Sequence, residues 1–150
     1  MKKLSKYLFG VLFSLAGTHF SFAQVNDTKA KLYSAYPSTI SINKNSLDNL
    51  LFNKTGETVS ISFAEGFTFE GTVISNITKY NNMHTVMLRS VKNKESIFQI
   101  TKNESKENTF SYTGRILNSN AADGYEIKYN NGEYFLQKFE TAKILEPCKL

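Results

Sequence analysis

From Glu57 onward apolar and polar residues alternate with a period of two, the mark of strands that bury one face. Over residues 58–63, Val59, Ile61 and Phe63 share a side. Glu65-Gly66 reads as a turn, and Phe67, Phe69, Gly71 and Val73 then face away from Thr68, Glu70 and Thr72. Residues 85–91 and 95–101 form two further strands about the polar turn 92–94, and the charged stretch 102–108 (KNESKEN) is a hairpin loop. Phe110, Tyr112, Gly114 and Ile116 repeat the alternation, as do Tyr125, Ile127 and Tyr129. Asn130-Asn131-Gly132 leads into a last strand over 133–138. Asn-Gly between two alternating runs is a strong hairpin signal, because both positions tolerate positive φ.

Before this region the pattern is less regular. Residues 39–43 (TISIN) alternate briefly and predict a short strand. Leu47, Leu50 and Leu51 follow Ser46 at helical spacing, which predicts a short helix over 46–52 with Ser46 as N-cap. Together these elements predict a mainly β domain, an antiparallel small barrel or sandwich of about seven to eight strands with one short N-terminal helix. The segment Phe69–Asn76 faintly echoes Tyr112–Ser119, which would fit two three-strand meanders. Gly71 and Gly114 fall inside strands, where glycine is costly unless it permits a bend or a close approach. A coiled, closing sheet needs such positions, which favours a barrel.

The first 23 residues stand apart. Lys2, Lys3 and Lys6 precede an uncharged apolar run over 7–16, and Ser21-Phe22-Ala23 places small residues before a cut ahead of Gln24. That layout predicts a cleavable secretory signal peptide over 1–23, and its apolar run falls short of the roughly 20 residues of a membrane-spanning helix. Residues 24–37 are polar, weakly periodic and end at Pro37, and are expected to form a flexible arm before a single domain over 38–150. The expected product is exported, periplasmic or extracellular, and not membrane-spanning after cleavage. The short Lys-Lys-Leu opening and the composition suggest a bacterial source.

Charge changes meaning once the signal is set aside. The chain carries 18 basic and 13 acidic residues, a formal +5. Three of those lysines lie in the signal, so the remainder is close to +2. Only Arg89 and Arg115 are arginines, and no basic stripe of the kind that tracks phosphates is present. Nucleic acid is therefore not an expected partner.

The chemistry-bearing residues are sparse. Cys148 is the one cysteine, so no internal disulfide can form, and stability must come from packing. An unpaired cysteine in an exported chain raises an intermolecular bridge as the alternative to a partly buried thiol. His84 is the single histidine outside the signal, too few nitrogen and sulfur ligands for a zinc site. No nucleophile-elbow motif accompanies it. Glu65, Glu70, Asp123, Glu126 and Glu133 are the acids that a glycosidase pair would draw on, and most read as turn or outward-facing positions. Four N-x-[ST] triplets, starting at Asn26, Asn53, Asn76 and Asn103, are expected in a chain rich in these residues. No catalytic, metal or cofactor residues are therefore assigned.

Two residue sets remain. Phe63, Phe67, Phe69, Phe98, Phe110, Tyr112, Tyr125 and Phe135 are expected to fill the core or line an apolar pocket. Arg89 and Arg115 are expected on the outer face, as partner contacts or in cross-strand ion pairs. The leading expectation is a non-enzymatic exported domain that binds another protein or a cell-envelope component. A barrel carrier of a small apolar ligand is a second. A pro-domain-like inhibitor of a secreted peptidase is a third, motivated by the arm before Pro37.

Overall fold

The computed structural model describes residues 29–105, 107 and 109–143. The predicted signal peptide and Cys148 lie outside the described residues, as does the start of the predicted arm. The order along the chain is β1 (Thr39–Ile42), α1 (Lys44–Leu51), β2 (Thr58–Ala64), β3 (Phe67–Lys79), β4 (Met83–Ser90), β5 (Ser96–Glu104), β6 (Phe110–Asn118), β7 (Asp123–Asn130) and β8 (Glu133–Glu140), closed by a 3-10 turn at Thr141–Lys143. One antiparallel sheet runs β1-β8-β7-β6-β5-β4-β3-β2. It is a meander from β2 to β8, onto which β1 folds back, giving a nearly closed barrel. Among the described residues no helix is long and apolar enough to cross a membrane.

The alternation read along the chain is the inward face of this barrel. Ile61, Phe63, Phe67, Phe69, Val73, Val86, Leu88, Phe98, Ile100, Tyr112, Ile116, Tyr125, Ile127, Tyr134 and Leu136 form one buried cluster. Aromatic rings meet across its centre. Phe67 lies 5.4 Å from Tyr125 and 5.6 Å from Phe63, and Phe98 lies 5.7 Å from both Phe63 and Phe69, centroid to centroid. Such tilted and edge-on contacts are the arrangement that ring quadrupoles favour.

Each end of the barrel has its own cover. At one end α1 sits between β1 and β2 and buries Leu47, Leu50 and Leu51. At the other, residues 29–37 lie across the strand ends. Ala30 bridges Ala121, Tyr33 is buried against Phe67 and Tyr125, and Tyr36 stacks on Phe67 at 4.5 Å. The Tyr125 hydroxyl and the Lys138 ammonium donate to the Pro37 and Tyr36 carbonyls at 2.5 and 2.6 Å. Residues 29–37, the described part of the expected arm, thus lie against the barrel, with Tyr33 and Tyr36 supplying apolar contacts.

Several boundaries also differ. Asn43, not Ser46, caps α1, its side chain accepting from the Asn45 N–H at 2.8 Å, a role for which both residue types are suited. β3 runs to Lys79, further than the alternation suggested, because a bulge between Val73 and Ser75 reverses which residues point inward. β5 extends to Glu104, so residues 102–104 are strand and the loop is shorter. The hairpin at Asn131-Gly132 is as predicted, with φ of 50° and 87°. The two glycines of the echoed segments both pair with the strand that precedes, Gly71 with Val59 and Gly114 with Ile100, but only Gly71 is also registered on the strand that follows, opposite Ser90.

Candidate functional site

The helix end carries one group of inward polar side chains, while Ser90, Ser96, Asn118 and Asp123 are buried at the other. Beyond the bulge, β3 turns Asn76 inward. Its amide donates to the Leu51 and Asn53 carbonyls at 3.1 and 2.8 Å, which satisfies the C-terminal end of α1. With both N–H groups directed at carbonyls, the Asn76 oxygen must accept, and it lies 2.6 Å from His84 Nε2. His84 therefore carries a proton on Nε2 and acts here as a donor. A general base acting through that nitrogen is incompatible with this geometry.

A second tether holds the middle of the helix. Asp48 accepts from Lys102 Nζ at 2.8 Å and from the Tyr112 hydroxyl. Burial pushes the Asp48 carboxyl up, but the bonds from Lys102 and Tyr112, with the charges of Lys102 and Lys44, outweigh it and hold the group below its ordinary value. Burial, then the Asp48 bond, pushes the Tyr112 phenol well above its usual range. A depressed carboxylate stabilises the fold above its unfolded pKa, and that contribution is lost as pH falls through the folded pKa. Asp48→Asn is expected to cost about 1 kcal/mol at pH 7 through the lost charge-assisted bond. In urea titrations the gap between variant and parent should close below about pH 4.

The eight aromatic positions singled out from sequence divide in two. Phe63, Phe67, Phe69, Phe98, Tyr112 and Tyr125 are core. Phe135 is corrected: on β8, Tyr134 and Leu136 point inward, so Phe135 points out. Phe110 has the inward parity of Tyr112 but sits at the rim, 41% exposed, with Lys102 Nζ 4.2 Å from its ring centre. Arg115 reaches Glu126 directly across the strand pair at 3.1 Å, and Lys128 reaches the other oxygen at 2.9 Å. Arg89 is exposed on β4 between Thr72 and Ile97. The sheet does not pair the two arginines' strand positions with one another.

Asp123 is not a surface group. One of five acids of which most read as turn or outward positions, it is 1% exposed and accepts from the Leu32 N–H at 2.7 Å and the Tyr33 N–H at 3.1 and 3.2 Å. It fastens the N-terminal segment, and Glu126 is occupied by two cations. Neither is a free carboxylate aimed at a shared cleft. Among the described residues no group of three His, Cys, Asp or Glu could hold a metal ion.

The most exposed rings lie around the helix end. Phe52 follows α1 and is 82% exposed; Tyr80 in the β3–β4 turn is 85% exposed; Tyr129 at the end of β7 is 63% exposed. Tyr80 also adopts φ of 55°. A left-handed backbone costs a side-chain-bearing residue about 1–2 kcal/mol. Alternation could not flag Phe52 and Tyr80, which lie in turns, whereas Tyr129 continues the alternation of Tyr125 and Ile127 but ends the strand at the exposed rim. Between the end of β1 and the β7–β8 turn lies an open cleft of about 330 Å³, lined by Ser41, Ile42, Asn43, Lys44, Gly132, Glu133 and Tyr134. No family model, no curated protein and no solved structure matches this chain.

Proposed function

We propose that this chain is an exported, non-enzymatic β-domain that binds another macromolecule, in the periplasm or at the cell surface, through the rim at its helix end. Tyr80 carries the reading. It is a large apolar side chain almost wholly in water, on a backbone conformation that glycine or asparagine would adopt at less cost. Retained strain at an exposed aromatic is a pointer to contact, and tyrosine is enriched at protein interfaces. Phe52, Phe110 and Tyr129 add apolar surface at the same end. Rings packed through the interior favour contact at the rim over a ligand held inside. The inhibitor reading rested on a free arm, and residues 29–37 are packed.

The test uses the secreted chain, whose N-terminus is expected at Gln24, and a variant with Phe52→Ser and Tyr80→Gly. Binding to purified peptidoglycan, lipopolysaccharide and outer-membrane proteins is measured for both. The parent is expected to bind one of these, and the variant to bind it at least about tenfold more weakly, a loss of 1.4 kcal/mol or more. Removing the strain at position 80 should leave the fold as stable or about 1 kcal/mol more so. Equal binding by both proteins, or turnover of any substrate that one point substitution abolishes, overturns the proposal.

A further inference from the structure

The β6–β7 ladder is the weak joint of the barrel. Its register consists of Arg115↔Glu126 and Ile116↔Tyr125, while β5–β6 is registered from Ser96↔Asn118 to Glu104↔Phe110 and β7–β8 from Asp123↔Glu140 to Asn130↔Glu133. Towards the helix end the two strands run on without partners on each other. Continued in register, Gly114 would face Ile127 and Tyr112 would face Tyr129. Residues along an antiparallel strand alternate in the side to which they direct their N–H and C=O. The Tyr112 N–H is directed at the seam, because the Tyr134 hydroxyl accepts from it at 3.2 Å. A side chain from β8 thus stands in for a missing ladder bond, and Gly114 shares the parity of Tyr112.

Proteins normally blunt a free edge with lysine, proline or a bulge. The β6 lip, Phe110–Gly114 (FSYTG), has no charge and no proline. At its mouth stand the exposed rings of Phe110 and Tyr129. On the outer side Arg115 and Lys128 share the single carboxylate of Glu126, leaving one positive charge in excess.

We infer that the β6–β7 seam is a strand-addition site, which takes an extended segment of a partner protein that alternates apolar residues with acidic ones. Backbone bonds to the β6 edge supply the alignment, one of them replacing the Tyr134 hydroxyl at the Tyr112 N–H, apolar residues meet Phe110 and Tyr129, and carboxylates meet Arg115 and Lys128. This mode of recognition gets its affinity from main-chain bonds and its specificity from alternate side chains. The inference rests on the rim reading above and names its partner.

The experiment selects random octapeptides displayed on phage against the secreted chain, then maps a synthetic copy of the enriched peptide by amide chemical shifts. Alternating apolar and acidic peptides are expected, shifting the amides of Tyr112, Gly114, Ile127 and Tyr129. Lys128→Glu, an exposed substitution, should weaken the acidic peptide about tenfold and favour peptides with basic residues at those positions. Failure to enrich any peptide, enrichment indifferent to Lys128→Glu, or shifts confined to other strands overturns the seam. If the seam fails while Phe52→Ser with Tyr80→Gly still removes envelope binding, the rim reading stands without it. If that pair changes nothing, the rim reading falls.

Discussion

Replacing Asp123 with alanine is expected to lower the unfolding free energy by about 3–5 kcal/mol, a large share of the 5–15 kcal/mol typical of a domain. The carboxylate is buried, and its acceptors serve two backbone N–H groups, those of Leu32 and Tyr33. Replacing a buried charge can be harmless when its partners are replaced with it. Here the partners are main-chain groups and remain. Alanine would take the acceptor from both donors, one of them buried, at about 1–3 kcal/mol each. Asparagine keeps one acceptor and should cost roughly half as much. Urea titration measures the loss, and amide exchange should show residues 30–36 opening before the strands. An unfolding midpoint within error of the parent would show that the segment is not held by this residue.

Gly114→Ala should cost about 3 kcal/mol, near the top of the range for overpacking. A Cβ at this position would lie 2.4 Å from the Gln99 carbonyl oxygen and 3.2 Å from the Ile100 Cα, both backbone atoms of β5. Neither can rotate away, and moving the strand would break the β5–β6 ladder, registered over the whole of β6. Gly66→Ala is the control. A Cβ there meets nothing within 4 Å, and φ of 75° is the only obstacle, so about 1 kcal/mol is expected. Thermal or urea unfolding of the pair decides the point. Equal losses would mean that backbone conformation, not the crowding of β6 on β5, sets the need for glycine.

Why one part of this molecule can be read from its residues and another cannot follows from the same packing. Strands that put Ile61, Phe98, Ile116 or Leu136 inward advertise themselves, since burial on one face forces the period of two. The glycines inside strands were legible as close approaches for the same reason. The period breaks where the barrel's contents change from apolar to polar. Past the bulge in β3 the inward residues are Asn76, which serves the helix rather than the core, and Thr78 at the exposed end of the strand. The burial of Asp123 was not legible because its partners are backbone groups 90 and 91 residues away, which leave no mark in composition. Phe135 was misplaced because aromatic content alone does not distinguish two faces of a strand. Phe52 and Tyr80 lie in turns outside any alternation, Phe110 and Tyr129 continue it but are exposed at the rim, and only the register reveals the seam.

The return of β1 to β8 has a consequence for how the molecule assembles. Every other pairing joins strands adjacent in sequence, so the meander can zip hairpin by hairpin with short loops to close. Thr39 and Gln137, by contrast, are 98 residues apart, and joining them carries the largest loop-closure entropy of the strand pairings. The barrel therefore has a natural last step, in which the N-terminal residues dock across a sheet already built and Tyr33 enters the core between Phe67 and Tyr125. Contacts formed that late govern how fast the native state comes apart rather than how fast it forms. The durability of the folded protein is thus set at its closing strand and at the carboxylate that pins the segment before it.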